Sequence, residues 1–436
     1  MKVSNDTETR LLPKMANRHG FIAGATGTGK TVTLRLLAEQ FSEIGVPVFL
    51  ADVKGDLSGL GASHLPVEFW DVYEETGVPF HSTVKRYSPL LLSKLLLLSE
   101  TQASILSIVM NMEGSEKIRN LHDLKIALLR LTNQKVSGTV VEQIGYVSKI
   151  SISTLIRKIQ AFQTEGGDEF FSGRQLEIKD LFRKSNGKGI INILDATKLM
   201  HQPELYTTSL LWLLNEMYTT LPEVGDVEKP KMVFFFDEAH LLFNDCPKVL
   251  LQTIEKIIKL IRSKGVGVYF ITQSPKDIPD AILAQLGNRF QHALRAYTPK
   301  EFEAVKIAAK TFRANPELDT EKEITQLKIG EALVSVLDEH GAPSMVEKLK
   351  IMRSSNIISV LPEIERLKIV DSGLWGKYTQ QEEQQLEAQD EIKKKSNFEK
   401  RYILPIFKFI GVTAYILINA FFLIIIALCK SSGRSK

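Results

Sequence analysis

The stretch Gly24-Ala25-Thr26-Gly27-Thr28-Gly29-Lys30-Thr31 (GATGTGKT) decides how the chain is read, because it fits the spacing G-x-x-x-x-G-K-[ST] without a gap. Glycine is needed where the backbone takes positive φ and turns its N–H groups toward phosphate oxygens, since a Cβ obstructs both. On this reading Lys30 reaches the β- and γ-phosphates of a nucleotide and Thr31 supplies a hydroxyl to Mg²⁺. The helix beginning there adds the positive end of its dipole. The flanks agree: Phe21-Ile22-Ala23 reads as a buried strand leading in, and Leu34, Leu37 and Phe41 share one face of a helix leading out. The competing reading is a Gly/Thr-rich surface turn beside an exposed lysine.

A second stretch completes the pattern. Met232-Val233-Phe234-Phe235-Phe236 is followed by two adjacent carboxylates, Asp237 and Glu238. An unbroken apolar run fits a central strand covered on both faces by helices. At its C-terminal edge Asp237 can hold the Mg²⁺ shell, and Glu238 can orient and deprotonate a water attacking the γ-phosphate. The second acid favours a hydrolysing ATPase over a nucleotide-binding switch without turnover.

Between and beyond these stretches the chain alternates strand and helix. Val48-Phe49-Leu50-Ala51 reads as a strand ending at Asp52. Asp52 and Asp56, in the loop ADVKGD, either cap the next turn or meet a bound nucleotide. Helical periodicity takes over from about Pro66 to Gly187, with a leucine-dense run at 90–98 and Ser99 as an N-cap. Leucine at that density is core, so a helical insertion packed on the sheet is expected, with Phe170-Phe171 anchored in it. Alternation resumes at Ile190–Leu194. A helix at about 248–263 carries Leu251, Ile254, Ile258 and Ile261 on one side. Val266–Thr272 is the next strand. Gln273 at its end can sense the γ-phosphate through the attacking water, or be structural. Arg262, Arg289 and Arg295 can each reach a neighbouring subunit's nucleotide, or pair with a surface carboxylate. Ala332–Leu337 reads as the last strand of the core.

Composition bounds the rest. The 436 residues carry 55 Lys and Arg against 51 Asp and Glu, a formal net charge of +4, so bulk charge makes no case for nucleic acid. Two cysteines, Cys246 and Cys429, give neither a disulfide framework nor a metal-ligand spacing. The N-terminal residues hold no apolar h-region, so no cleavable export signal is expected. The expected organisation is α/β: a first part of a P-loop ATPase core at 1–65, a helical insertion at 66–187, the second part of the core at 188–350, a polar and basic linker at 351–408 and a transmembrane helix at 409–429.

Taken together, GATGTGKT, FLADVKGDLSGL, GIINILDATKLM, KMVFFFDEAHLLFND, LIRSKGVGVYFITQSPKDIP and LGNRFQHALRAYTP resemble the bacterial HerA-like helicase C-terminal-domain proteins. These belong to the wider HerA and FtsK group of P-loop translocases, and the likeness runs from Leu11 to Glu347. The resemblance implies a RecA-like parallel sheet with the acidic strand beside the P-loop strand, assembly into a homo-oligomeric ring such as a hexamer, and ATP-driven movement of DNA. Position by position it gives phosphate and Mg²⁺ to Lys30 and Thr31, the metal to Asp237, the water to Glu238 and sensing to Gln273. Arg262 or Arg289 becomes the inter-subunit arginine. The rival is a membrane-bound ATPase that energises a protein or secretion partner through its helical insertion. DEAH at Asp237–His240 invites comparison with DEAH-box helicases, but their second RecA-like domain and arginine-rich late motif are not visible here.

The tail departs from the family. Phe409 to Cys429 is 21 residues without a charge. As a helix it extends about 31 Å, the thickness of a bilayer's hydrocarbon. Lys393, Lys394, Lys395, Lys400, Arg401 and Lys408 precede it and Lys430, Arg434 and Lys436 follow, which keeps the larger domain in the cytoplasm. The full chain is therefore expected to pellet with membranes and to resist carbonate extraction, and removal of 409–436 to release it. Recovery of the intact chain in the carbonate supernatant rules the anchor out.

Overall fold

The structure is a computed structural model that describes residues 1–4, 9–112, 114–132, 148–172, 175–244, 248–353 and 360–378. The expected transmembrane helix at 409–429 lies outside the described residues. Among those that are described, no helix is long and apolar enough to cross a membrane.

The strands are short, the central ones mostly apolar runs bounded by glycine, proline or aspartate. They are β1 (Gly20–Ala23), β2 (Val48–Asp52), β3 (Val67–Asp71), β4 (Val78–Pro79), β5 (Lys184–Ser185), β6 (Lys188–Gly189), β7 (Ile191–Asp195), β8 (Met232–Phe236), β9 (Val266–Thr272), β10 (Asn288–Gln291), β11 (Glu331–Ser335) and β12 (Glu347–Lys350). Ten make one sheet in the order β12-β11-β10-β1-β9-β8-β2-β7-β3-β4, and β5 and β6 pair separately. All pairings from β10 to β4 are parallel, whereas β11 and β12 are added antiparallel at one edge.

Both faces of the sheet are covered, as continuous apolar strands require. Alternate residues of β8 serve opposite sides. Phe235 packs with Ile22, Leu50 and Tyr269 against Leu34, Leu37 and Phe41 of the helix Lys30–Glu43. Phe234 and Phe236 face the other way, toward Phe49, Trp70, Phe80 and Trp212. The helices Pro89–Leu95, Glu100–Asn111, Leu121–Arg130 and Lys149–Phe162 pack on that second side. Ser99 caps the second of them with a reciprocal capping box through Gln102. Phe170 and Phe171 are fully buried, with Phe170 edge-on to Trp212 at 5.6 Å.

Four features differ from the sequence reading. The acidic strand β8 is not beside β1, because β9 lies between them. Ala332–Leu337 is not the last strand, since β12 pairs beyond β11. Residues 67–79, placed in the helical insertion, add two strands to the sheet. Glu68 interrupts their apolar pattern, and its buried carboxylate is matched by Arg183 at 2.7 Å, a partner far along the chain. The fourth concerns the polar stretch after 350, read as linker. Residues 360–378 instead return to the sheet edge: Leu361 N–H donates to Ser58 Oγ (3.0 Å), Arg366 pairs with Asp195 (2.7 Å), and Asp371 N–H donates to Glu68 (3.1 Å). Tyr378 hydroxyl, nearly fully buried, donates to Asp180 and accepts from Glu177 N–H.

Losing a buried hydroxyl between two partners costs about 1–3 kcal/mol. Tyr378→Phe should lower the stability read from urea unfolding by that amount. An unchanged midpoint would mean that the returning segment contributes nothing to the fold.

Candidate functional site

Parallel register brings the ends of four strands to one edge. Ala23 is level with Thr272 of β9, Phe236 with Phe270, and Ala51 with Phe236. Open parallel sheets bind ligands at this carboxyl edge. The chain leaves β1 directly into Gly24–Thr31.

The loop packs so closely on its neighbours that side chains at two of its glycines would collide with them. Gly24 has φ of +154° and a Cβ there would sit 2.5 Å from His292 Cβ. Gly29 has φ of +117°, with Gly330 N 3.3 Å from its would-be Cβ. Neighbouring strands pin the loop: Gly24 N–H donates to Thr272 O (3.3 Å), Ala25 N–H to Ala293 O (2.8 Å) and Gly330 N–H to Thr28 O (3.0 Å). The helix Lys30–Glu43 starts at the end of the loop, its N-cap Gly29 offering no side chain. Lys30 Nζ folds back onto Gly24 O (2.7 Å) and Ala25 O (3.2 Å). Burial lowers the lysine's pKa, the Lys54 charge lowers it further, and Glu238, Asp237 and Asp56 oppose both.

The loop after β2 resolves the two aspartates. Asp52 is a cap, accepting from the N–H groups of Gly55 (2.8 Å), Leu57 (3.0 Å) and Ser58 (3.1 Å). Asp56 turns to the site, its Oδ2 accepting from Thr31 Oγ1 at 3.2 Å, while its buried Oδ1 has no hydrogen-bond partner among the described residues.

From β8, Asp237 and Glu238 project at the same edge, both nearly buried. Asp237 Oδ1 accepts from Glu238 N–H (2.9 Å), and its carbonyl accepts from Tyr206 hydroxyl (3.1 Å). Glu238 has φ of +47°, a strained setting for a residue with a long side chain. Its carboxylate pairs with Lys54 and lies 3.2 Å from His240 Nδ1. Gln273 follows β9, between the P-loop strand and the acidic strand, and is exposed.

The residues fit a Mg²⁺-nucleotide. Two glycines seat the loop closely on its neighbours, Asp56 Oδ1 is an acceptor without a partner among the described residues, and the Lys30 ammonium rests on its own loop's carbonyls. Among the described residues no cluster of three or more His, Cys, Asp or Glu could hold a metal by itself. Mg²⁺ does not need one, because it binds through one or two protein ligands together with phosphates and water.

Sequence reasoning missed two members. His292 lies under the loop at the end of β10, Nε2 at 2.8 Å from Thr33 Oγ1 and Nδ1 at 2.9 Å from Glu331 O. Burial pushes its pKa down to about 4, which leaves it neutral. The strand it follows, Asn288–Gln291, is itself mostly polar, so no local signal marked it. Lys54 gave none, being one loop lysine among many.

The arginines lie elsewhere. Arg262 precedes β9, 3.7 Å from Asp226, and Arg289 donates to Leu286 O (2.9 Å) and packs over Phe21. Both line a cavity of about 280 Å³ together with Arg18, Lys259 and His19. Arg18 precedes β1, so this cavity lies at the strands' N-terminal edge, opposite the P-loop. Arg295 is committed within its own chain, to Thr325 O (2.6 Å) and Leu327 O (3.2 Å).

A P-loop followed by a buried carboxylate pair, on the carboxyl edge of a mostly parallel sheet, defines a P-loop ATPase. The chain belongs to the helicase HerA-like C-terminal family, whose model matches residues 1–65 and 61–400. Its relatives include a probable helicase of Methanocaldococcus jannaschii, 23% identical over 402 residues, 85% of this chain and 72% of that one. The DNA double-strand break repair helicase HerA of Saccharolobus solfataricus is 20% identical over 76% of this chain, which spans 64% of that protein's length. These relatives are archaeal. In fold the chain resembles the plasmid coupling protein TrwB in complex with ADP and Mg²⁺ (TM-score 0.57, 14% identity, 79% of this chain and 87% of that one). It also resembles VirB4 of Thermoanaerobacter pseudethanolicus (TM-score 0.52, 15% identity, 77% and 90%).

Crowding at the edge shifts protons. Burial, reinforced by Asp56 and Asp237, pushes Asp52 up to about 8 despite its backbone donors, and burial with the Glu238 charge pushes Asp237 up to about 7. Both folded values exceed the ordinary carboxylate range. From about pH 4 to 8, therefore, the nucleotide-free protein holds protons that the unfolded chain has released, and stability falls as pH rises. The denaturation midpoint should drop between pH 5 and 8, and by less in Asp237→Asn. Parallel pH curves for the two proteins would contradict the Asp237 contribution.

Proposed function

We propose that the chain is an ATP-hydrolysing DNA motor of the HerA type that works as a homo-oligomeric ring, held to a membrane through residues 409–429. The observation that carries this reading is the convergence of Gly24–Thr31, Asp56, Asp237, Glu238 and Gln273 on one sheet edge. Family membership and the helicase relatives support the motor reading. The charge-free run at 409–429 supports the anchor.

In this reading the loop N–H groups and the Lys30 ammonium take the β- and γ-phosphates, exchanging Gly24 O and Ala25 O for phosphate oxygens. Thr31 and Asp237 hold Mg²⁺, with Asp56 behind Thr31. The ion, when bound, draws charge from the transferring phosphoryl group. Glu238 accepts the proton of the attacking water and Gln273 orients that water. Arg262 and Arg289 cannot serve their own subunit, because they lie at the far edge. There, with Arg18 and Lys259, they form a cationic cavity suited to a neighbouring copy's phosphates.

A second reading, an ATPase acting on a protein partner, is favoured by exposed apolar residues on the helical insertion, among them Leu97 at 61% and Ile150 at 78% exposure. Measuring ATPase rate with and without duplex DNA decides between them, with stimulation expected. Lys30→Ala should abolish nucleotide binding, whereas Glu238→Gln should retain it and lose about 100-fold or more in turnover. Arg262→Ala and Arg289→Ala subunits should regain activity when mixed with Lys30→Ala subunits, since each supplies what the other lacks. Equal loss of binding in the first two variants, or unaltered turnover in both arginine variants, would refute the assigned roles.

A further inference from the structure

Lys54 has no role in the site as described, yet it makes the closest ionic contact there. Its ammonium sits against the carboxylate of Glu238, the group assigned to activate water. The remaining oxygen of Glu238 is 3.2 Å from His240 Nδ1. While both contacts persist, one carboxylate oxygen is held against an ammonium and the other lies beside an imidazole nitrogen.

The lysine is also well placed to leave. Glu238 is nearly buried, but the Lys54 side chain is 42% exposed and stands on a loop that Asp52 fixes through three backbone hydrogen bonds. The backbone that follows Lys54 is thus fixed, whereas its long side chain is not enclosed. Its charge is felt at Lys30, so the two ammonium groups border the same carboxyl edge, where the phosphates of the proposed nucleotide would lie. A terminal phosphate brings about two negative charges to that edge against the single charge of Glu238, and Coulomb attraction then favours the phosphate.

We infer that Lys54 is a phosphate-sensing lysine, which neutralises Glu238 when the site is empty and transfers its ammonium to the terminal phosphate of a bound triphosphate, freeing Glu238 to meet the water. The inference rests on the ATPase reading above and extends it, by making the release of the general base depend on the third phosphate. A diphosphate, which ends short of the lysine, leaves Glu238 paired.

Calorimetric titration of the full chain with ADP and with the non-hydrolysable triphosphate AMPPNP, both with Mg²⁺, tests this. Lys54→Ala should weaken AMPPNP about tenfold, as expected for one charge-assisted contact, and leave ADP within about twofold. Lys54→Arg should recover most of the AMPPNP affinity. Glu238→Gln should bind AMPPNP more tightly than wild type, because Lys54 no longer has to leave an ion pair, and Lys54→Ala combined with it should remove that gain. Retained ADP binding shows that each variant is folded. Equal weakening of both nucleotides, no change in either, or a Glu238→Gln variant indistinguishable from wild type with AMPPNP would overturn the inference. Failure of wild type to bind either nucleotide would instead overturn the ATPase reading, and the sensing role with it.

Discussion

Parallel pairing in register is the constraint on which the site depends. Because β1, β9, β8 and β2 run the same way and end nearly level, the four loops that follow them are forced to one edge. The fully buried strand interiors make a slip costly: moving β8 by one residue would turn Phe234 and Phe236 toward the helix Lys30–Glu43 and drag Asp237 off the edge. Packing on both faces therefore sets the position of the carboxylates before any ligand does. The interposed β9 follows from the same logic. It spaces the P-loop from the acidic pair by one strand, and its own end, Gln273, falls in the gap.

A second consequence is electrostatic. Crowding Asp52, Asp56, Asp237 and Glu238 beside Lys30 and Lys54 in a poorly hydrated edge is unfavourable for like charges, and the structure answers it locally. Asp52 is spread over three backbone N–H groups, Asp56 is turned to Thr31, Lys54 covers Glu238, and Asp237 is pushed toward its protonated form. Such an edge is tuned to receive a cation and a polyanion together, because each arriving charge relieves a repulsion or replaces an internal pair.

Local patterns were legible in the sequence and distant pairings were not. The P-loop, Asp237 and Glu238 each announce themselves within a few residues, since a strand, a turn and a helix start are consecutive events along the chain. The capping of Ser99, the buried face of Leu34, Leu37 and Phe41, and the anchoring of Phe170 and Phe171 are local in the same sense. By contrast, β3 carries Glu68 in an otherwise apolar stretch, and only Arg183 and the backbone of Asp371 make that tolerable. The polar look of 360–378 hid a segment whose Arg366 and Tyr378 find partners on the far side of the chain. His292 and Lys54 belong to the site only because β10 and the loop after β2 are brought beside β1 and β8 in space.

The sheet also separates charge along its strands, and this bears on how copies could work together. Carboxylates and the phosphate cradle collect at the carboxyl edge, whereas Arg18, Lys259, Arg262 and Arg289 collect around one cavity at the amino edge. Among the described residues few groups answer those cations: Arg262 has the exposed Asp226 at 3.7 Å, and Arg289 has backbone carbonyls and the face of Phe21. Burial and the neighbouring Arg18 charge both work against the Arg262 cation, so the cavity is held at a cost within a single subunit. Polyanion from outside the subunit removes that cost. In the proposed ring, the amino edge of one copy turned to the carboxyl edge of the next would supply it in the form of bound nucleotide.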